Sequence, residues 1–301
     1  MFVAVLGPGG VGGLLGALLV RARVRVLFVA RQASAGSLGE SGITVRSDRL
    51  GSFSVPVETA TRLPTGVDAV LVTVKAPDLV AALEAVPASA LGEALLVPFQ
   101  NGIDHVATLR QRYGSTAVAP ATIRVEATRV TVGMIEHSSP FAAVELAASD
   151  STRDRVEQLA IPLRRAGIDV EVRTDETAML WDKLAFLAPL ALLTTYARAP
   201  VGEVRVERRE DLLGCIREVA EVANAAGGHI EADHLIAAID GVPPTMRSSM
   251  QRDAAAGRPI ELEAIGGAVL RTAERAGIQV PVTRRIVEGL REGSGSTGVR
   301  G

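Results

Sequence analysis

A glycine-rich segment near the start of the chain, Gly7-Pro8-Gly9-Gly10-Val11-Gly12, directly follows the apolar run 1–6. Its glycines have the spacing G-x-G-x-x-G, and a second apolar stretch, residues 13–20, comes next. A strand, this turn and a helix form the opening of a dinucleotide-binding βαβ unit. There the first glycine permits the turn, the second lets the backbone approach a pyrophosphate, and the third allows close packing of the helix. The alternative is a turn that only packs a helix on a strand.

The residue after the second predicted strand indicates which dinucleotide such a site prefers. Sites that prefer NAD place Asp or Glu there, where the carboxylate binds the ribose 2′-hydroxyl. In this chain the strand 24–29 is followed by Ala30 and Arg31, without a carboxylate. The guanidinium of Arg31 offers donors that suit a 2′-phosphate. The sequence therefore predicts a preference for NADP(H), with an ordinary surface arginine as the alternative.

Strands and helices alternate up to about residue 173, which predicts a mostly parallel sheet with helices on both faces. The predicted strands are 1–6, 24–29, 43–46, 53–57, 68–74, 94–99, 117–125, 130–137, 142–147 and 168–172. The predicted helices are 13–20, 77–86, 103–112 and 150–166, the last of them capped by Asp150. The fold class that follows is α/β, with an N-terminal Rossmann-type doubly wound sheet.

Beyond residue 173 the strand-like alternation stops, and apolar residues recur at helical spacing. Thr174-Asp175-Glu176-Thr177 is typical of a helix start. The helix that begins there is followed by predicted helices at 209–226, 231–239, 245–255, 261–276 and 282–292. The sequence thus predicts an NADP-binding Rossmann domain at 1–173, an all-helical domain at 174–293, and a flexible tail at 294–301.

Composition excludes several classes of protein. With 301 residues, 48% of them hydrophobic and 22% charged, the chain is predicted to be globular. A net charge of −2 and 3% aromatic residues argue against binding of nucleic acid. The single Cys215 fits a cytoplasmic protein, and the four histidines lack the spacing of metal ligands. The apolar stretch 184–193 is too short to span a membrane and is predicted to be a buried helix.

Five segments resemble the ketopantoate reductase (2-dehydropantoate 2-reductase) family. Four of them are the 7–12 loop with Arg31, Val74-Lys75-Ala76, Gln100-Asn101-Gly102, and Leu180-Trp181-Asp182-Lys183-Leu184. The fifth and most specific is Ser248-Ser249-Met250-Gln251-Arg252-Asp253, followed by Gly257-Arg258-Pro259-Ile260-Glu261. The order and spacing of these segments match the family over nearly the whole chain.

The resemblance implies an NADP-dependent oxidoreductase that converts a 2-oxo acid to a 2-hydroxy acid, as in pantothenate biosynthesis. It implies a substrate cleft between the domains and a homodimer formed through the helical domain, for which the apolar stretch 184–193 is a candidate surface. No membrane or nucleic-acid partner is expected. The residues that it implies are Lys183 as general acid, Asn101, Lys183, Ser248 and Ser249 as substrate contacts, and Lys75, Asn101 and Glu261 as cofactor contacts.

Each of these residues also has a purely structural interpretation. Lys183 could be a solvated lysine on a helix face, and Lys75 a solvated lysine at a strand end. Asn101 could belong to an Asn-Gly turn. Ser249 could be a helix cap, and Glu261 could be a first-turn glutamate favoured by the helix dipole.

The chain departs from the family pattern at three positions that are expected to carry asparagine, namely Leu187, Ala191 and Val201. Loss of these amides predicts a more apolar pocket. Such a pocket disfavours a hydroxylated substrate, because a buried substrate hydroxyl without a hydrogen-bond partner is costly. One alternative is therefore a related NADPH-dependent reductase of a more hydrophobic ketone or 2-oxo acid. Another alternative is a non-catalytic NADP(H)-binding regulator.

Overall fold

The computed structural model describes residues 1–295. The chain divides into two compact units, of which the first comprises Met1–Gln100 and His105–Glu176. The second comprises Asn101–Asp104 and the chain from Thr177 onward. The short segment Asn101–Asp104 thus belongs to the second unit, although it is flanked in sequence by the first.

The first unit contains all the strands of the described chain. They are β1 (Phe2–Leu6), β2 (Arg25–Val29), β3 (Ile43–Ser47), β4 (Phe53–Val55), β5 (Glu58–Ala60), β6 (Ala69–Val72), β7 (Leu95–Pro98), β8 (Ala121–Arg124), β9 (Ala127–Thr131), β10 (Met134–His137), β11 (Ala143–Ala147) and β12 (Asp169–Arg173). A parallel sheet has the order β5-β2-β1-β6-β7. Two mixed sheets have the orders β4-β3-β10-β9 and β12-β11-β8.

Strand β1 shows why the parallel sheet is buried on both faces. Val3 and Val5 point into one apolar cluster, whereas Ala4 and Leu6 point into the other. Side chains alternate between the faces of a strand, so a continuous apolar run is what a doubly covered parallel strand requires. This arrangement places the carboxyl end of β1, and the glycine-rich segment that follows it, at the edge of a rigid core.

The helices of the first unit connect and cover these strands. They are α1 (Gly10–Arg21), α2 (Gln32–Ser41), α3 (Leu79–Ala82), α4 (Ala88–Leu91), all but the first residue of α5 (Asp104–Tyr113), and α6 (Arg153–Arg165), with 3₁₀ helices at Ala76–Asp78, Leu83–Ala85 and Ser115–Ala117. The predicted cap Asp150 is wrong, because α6 begins at Arg153 and Thr152 occupies the cap position. The predicted strand 130–137 is in fact part of two strands, β9 and β10, which pair antiparallel.

The second unit is helical. It contains most of α7 (Glu176–Ala197), together with α8 (Val201–Glu207), α9 (Arg209–Ala225), α10 (Ala232–Gly241), α11 (Ser249–Ala255), a π-helical turn (Glu263–Gly267), α12 (Ala268–Ala276) and α13 (Pro281–Gly295). The predicted fold class, a Rossmann-type α/β sheet followed by a helical domain, is confirmed. Of the predicted tail 294–301, residues 296–301 lie outside the described chain.

Helix α7 is the core helix of the second unit. By length and composition it could cross a membrane, but 72% of its most apolar window is buried inside the protein. Leu184, Leu192 and Leu193 are each at most 1% exposed and pack into the unit's own apolar cluster. The predicted burial of the stretch 184–193 is therefore confirmed. Within this stretch only Phe186 and Leu187 are partly exposed, so it offers little surface for a homodimer.

The only cysteine lies in the same core. Cys215 on α9 is 0% exposed, and the hydroxyl of Thr283 donates a hydrogen bond to its Sγ over 3.5 Å. Burial raises the pKa of the Cys215 thiol to about 12, because the apolar surroundings disfavour the thiolate. The thiol is therefore protonated and unreactive in the folded protein.

Candidate active site

The glycine-rich loop begins at the carboxyl end of β1 and is held by both neighbouring strands. The Gly7 amide donates to the carbonyl oxygen of Val29, at the end of β2, over 3.1 Å. From the other side, Thr73 Oγ1 lies 3.0 Å from the Leu6 carbonyl oxygen and 2.8 Å from that of Gly7. The turn is therefore fixed in place by the fold itself.

The glycines of this loop differ in what surrounds them. A Cβ atom on Gly12 would lie 2.2 Å from Thr73 Oγ1, and one on Gly10 would lie 2.0 Å from the Ala127 carbonyl oxygen. By contrast, a Cβ on Gly9 would meet no atom closer than the Gly7 carbonyl oxygen at 4.0 Å. Internal packing thus explains Gly10 and Gly12, whereas Gly9 faces open space.

The N-terminus of α1 provides donors beside that open space. Helix α1 begins at Gly10, and no side chain caps it. The first amides of a helix have no carbonyl partner within it, and they point toward any anion placed at that end. Open space at Gly9 and an uncapped helix N-terminus are the features that a pyrophosphate site requires.

Two cations predicted to contact the cofactor follow strands of the same sheet. Arg31 comes after β2 and occupies the cap position of α2. Lys75 comes after β6, is exposed, and precedes the 3₁₀ helix Ala76–Asp78. Because β2 and β6 pair with opposite edges of β1, both cations belong to the same end of the sheet as the glycine loop.

In the second unit the structure brings Asn101 and Glu261 together. Asn101 Nδ2 donates a hydrogen bond to Glu261 Oε2 over 2.9 Å, and Glu261 is 7% exposed. Nearby, a Cβ on Gly102 would lie 2.1 Å from the Ala264 carbonyl oxygen, which belongs to the π-helical turn. The Asn-Gly pair therefore fits tightly against the segment that carries Glu261.

The predicted helix 261–276 is not regular. It contains the π-helical turn Glu263–Gly267 before α12 begins. Arg271 Nη2 lies 2.5 Å from Asp104 Oδ2, and Arg291 Nε lies 2.8 Å from Glu263 Oε1. The hydrogen bond from Arg291 holds the pKa of Glu263 below its usual range. These ion pairs fix the two segments that present Asn101 and Glu261.

Lys183 lies in the first half of α7 and is partly buried. Its neighbours Trp181 and Leu184 are 2% and 1% exposed and belong to the core of the unit. The backbone that carries Lys183 is therefore rigidly packed. Leu187, one turn further along the helix on the same face, is also partly buried.

The two adjacent serines have different surroundings. Ser248 is the cap of α11: its Oγ accepts a hydrogen bond from the Gln251 amide over 3.1 Å and lies 2.9 Å from Thr194 Oγ1. Thr194 in turn donates to the Leu190 carbonyl oxygen over 2.7 Å. Ser249 is exposed, and its hydroxyl has no hydrogen-bond partner within residues 1–295. Of the two, Ser249 is the one that a ligand can reach.

Lysine usage is a signal that the sequence analysis missed. The chain has 32 lysine and arginine residues, and only Lys75 and Lys183 are lysines. Surface ion pairs use arginine instead, as between Arg25 and Glu58 at 3.1 Å. Arginine cannot release a proton in a protein, whereas lysine can. Both lysines of a chain that otherwise uses arginine thus stand at positions where the sequence predicted a site residue.

Profiles of two domains match the chain. They are described as "Ketopantoate reductase PanE/ApbA", at residues 3–150, and "Ketopantoate reductase PanE/ApbA C terminal", at residues 175–293. The chain belongs to the ketopantoate reductase family. This confirms the predicted family and the predicted enzyme class, an oxidoreductase that acts on a CH–OH group.

Individual ketopantoate reductase relatives cover nearly the whole chain. A 2-dehydropantoate 2-reductase of Mycobacterium tuberculosis is 29% identical, over 98% of this chain and 99% of its own. The crystal structure of 2-dehydropantoate 2-reductase from Geobacter metallireducens has a TM-score of 0.88 at 26% identity, covering 97% and 100% of the two chains. A ternary structure of D-mandelate dehydrogenase with NADH and anilino(oxo)acetate has a TM-score of 0.90 at 18% identity, covering 99% and 100%, and shares the fold.

Of the three positions that depart from the ketopantoate reductase pattern, two are buried in the core. Ala191 and Val201 are both 0% exposed and lie in the apolar cluster of the second unit. The prediction that they line a pocket is therefore wrong, because a residue packed in the core offers no surface to a ligand. Only Leu187 retains partial exposure and can make a substrate contact more apolar.

Among residues 1–295, no group of three or more His, Cys, Asp and Glu side chains is arranged to hold a metal ion. His137 has a structural setting: its Nδ1 lies 2.8 Å from Ser47 Oγ and its Nε2 lies 3.1 Å from the Phe141 carbonyl oxygen. These contacts join β3, β10 and the segment before β11.

Proposed function

We propose that the protein reduces a 2-oxo acid to the corresponding 2-hydroxy acid with NADPH, as in the conversion of ketopantoate to pantoate in pantothenate biosynthesis. The observation that carries the proposal is the placement of Lys183, one of only two lysines, on a helix whose core packing fixes its backbone. Bound NADPH would supply the hydride, and the protein must supply the proton and the alignment.

The residues of the first unit fit the cofactor. Open space at Gly9 and the uncapped N-terminus of α1 suit the pyrophosphate, and the guanidinium of Arg31 suits a 2′-phosphate. We therefore assign the cofactor to Gly7, Pro8, Gly9, Gly10, Val11, Gly12, Arg31 and Lys75, and we add Asn101 and Glu261 from the second unit.

Lys183 is assigned as the general acid. An ammonium group polarises the keto oxygen of the substrate and then donates its proton to the oxygen as negative charge develops there. Arginine could polarise the oxygen but could not complete the proton transfer. The assignment accounts for the presence of lysine in a chain that otherwise uses arginine.

Asn101 and Glu261 are assigned as a coupled pair. The carboxylate of Glu261 accepts the hydrogen bond from Asn101 Nδ2, so the amide has a defined orientation. The Oδ1 atom of the amide has no hydrogen-bond partner within residues 1–295 and is available to a ligand. The close fit of Gly102 against Ala264 holds the segment that carries Asn101. This arrangement orients the ligand and contributes no proton transfer of its own.

Ser249 is assigned to the carboxylate of the substrate, and Ser248 to support of the helix. We expect Ser249→Ala to raise the KM for the 2-oxo acid about tenfold or more, because a hydrogen bond to a charged group is lost. Ser248→Ala should instead lower the free energy of unfolding by about 1 kcal/mol, because α11 loses its cap. Steady-state kinetics and thermal denaturation of both variants separate the roles. The reverse pattern would reassign the substrate contact to Ser248.

The substrate class follows from the surroundings of Lys183. Leu187, on the same face of α7, stands where the family has an asparagine and is accessible. This observation favours, as the second candidate, a 2-oxo acid whose side chain is more hydrophobic than that of ketopantoate.

NADPH oxidation, measured by loss of absorbance with a panel of 2-oxo acids, tests the function. Turnover of ketopantoate would support the main proposal, and turnover only of bulkier, more apolar acids would support the second candidate. NADPH binding without turnover of any 2-oxo acid would contradict both and favour a non-catalytic regulator. A Leu187→Asn variant provides the matched control, since it should shift the preference toward hydroxylated substrates.

We also propose that the enzyme is a cytoplasmic homodimer, as the family resemblance implies. Most of its dimer surface must lie outside the stretch 184–193, since only Phe186 and Leu187 of that stretch are partly exposed. Light scattering coupled to size exclusion tests the assembly, because a mass near 31.4 kDa would show a monomer.

A further inference from the structure

Arg31 and Asp78 form an ion pair beyond the end of β1. Arg31 Nη2 donates to Asp78 Oδ1 over 3.2 Å, and within residues 1–295 the Arg31 side chain has no other polar partner. Arg31 follows β2, whereas Asp78 ends the 3₁₀ helix that follows β6. Because β2 and β6 flank β1, the pair is formed at the strand end from which the glycine loop starts.

The pair is exposed but its carboxylate is anchored. The side chains of Arg31 and Asp78 are 83% and 56% exposed, so the ion pair contributes little to stability and opens readily. The backbone of Asp78 is fixed, because its amide donates to the Lys75 carbonyl oxygen over 2.9 Å and the next residue, Leu79, is 4% exposed. A ligand that binds the Arg31 guanidinium can therefore replace Asp78 as its partner, but the Asp78 carboxylate remains near that ligand.

We propose that Asp78 limits the preference for NADPH over NADH that Arg31 provides, an inference that rests on the proposed use of NADP(H). A phosphate monoester carries a charge of about −1.5 to −2 at neutral pH, so a 2′-phosphate on Arg31 is repelled by the adjacent carboxylate. The ribose hydroxyl of NADH is uncharged and can donate a hydrogen bond to that carboxylate. Asp78 thus disfavours one dinucleotide and favours the other.

The position of Asp78 explains how one site can contain both a group that favours NADPH and a group that favours NADH. In sites that prefer NAD, the carboxylate that binds the 2′-hydroxyl stands at the end of the second strand. Here Arg31 occupies that region, and the carboxylate is contributed by the turn after the strand on the other side of β1. The site therefore has a partner for the phosphate and a partner for the hydroxyl.

Equilibrium binding tests this assignment without any turnover. The dissociation constants of NADPH and NADH are measured by calorimetry for the wild type and for Asp78→Asn, which keeps the shape and removes the charge. We expect the Kd of NADPH to fall about tenfold, equivalent to about 1.4 kcal/mol. The Kd of NADH should stay the same or rise. The effect on NADPH should shrink at 1 M salt, where the Debye length is about 3 Å.

Glu84→Gln is the matched control. Glu84 forms an exposed ion pair with Arg112 at 3.0 Å in the same unit, so the variant removes an equivalent charge elsewhere. It should leave both dissociation constants unchanged. Three results for Asp78→Asn would overturn this inference but not the proposed function. They are equal changes in the Kd of NADPH and NADH, no change in either Kd, or weaker binding of NADPH. A wild-type protein that binds neither dinucleotide would overturn the proposed function as well.

Discussion

Replacement of Lys183 by methionine is expected to lower kcat by about 10²–10⁴-fold, the usual contribution of a positioned general acid. Methionine keeps the length and the apolar stem of lysine, so packing against the neighbours on α7 is preserved. The variant loses both the charge that polarises the keto oxygen and the proton that neutralises it. Stopped-flow and steady-state measurement of NADPH oxidation with a saturating 2-oxo acid gives the change in kcat.

Two companion variants isolate the proton transfer. Lys183→Arg retains a positive charge but cannot release a proton, so it should recover part of the substrate affinity and little of kcat. Lys75→Met removes the only other lysine and should weaken NADPH binding, with a smaller effect on kcat. The Kd of NADPH for Lys183→Met should stay within about twofold of the wild type, since the residue acts on the substrate. A Lys183→Met enzyme with near-normal kcat would remove the lysine from the mechanism.

Substitution of Gly9 by valine is expected to weaken NADPH binding by about a hundredfold or more, because the side chain fills the space that the pyrophosphate needs. The folded protein should tolerate the change. The nearest atom to a Cβ on Gly9 is 4.0 Å away, and the backbone dihedral φ of −80° lies outside the left-handed region that favours glycine. Calorimetric titration with NADPH and thermal denaturation of the same sample measure the two effects separately.

Gly10→Val provides the contrasting control one residue along the chain. Its Cβ would lie 2.0 Å from the Ala127 carbonyl oxygen, so α1 and β9 must move apart and the melting temperature should fall. Gly9→Val should show lost binding with an unchanged melting temperature, and Gly10→Val should show a lower melting temperature. Unchanged NADPH affinity in Gly9→Val would show that the loop serves only to pack a helix on a strand.

The sequence predicted the first βαβ opening and the change to helices near residue 173 because both depend on long apolar runs with a clear period. Helix α2 escaped prediction because only Ala35 and Leu38 of its ten residues are buried, so it has no apolar stripe. The π-helical turn also escaped, since one inserted residue shifts the helical register without changing the composition. Periodicity reports which face a residue occupies and which elements are apolar.

At the candidate site, periodicity could not predict how deeply each side chain is buried or at which residue a helix begins. Ala191 does lie on the helix face that carries Lys183, but that face enters the core before it reaches Ala191. Ser248 and Ser249 are adjacent, and which of them caps α11 depends on where the first turn begins. The pairing of Asn101 with Glu261 joins residues 160 positions apart, a distance that no local pattern encodes.

The burial of Cys215 gives the chain an internal reporter. A thiol that is protonated and fully enclosed reacts with a maleimide only during the moments when the helical unit opens. Because no second thiol competes, the rate of alkylation under native conditions reports the frequency of that opening directly. The same measurement, made with and without a bound dinucleotide, shows how much the binding of that ligand raises the free energy of opening of the helical unit.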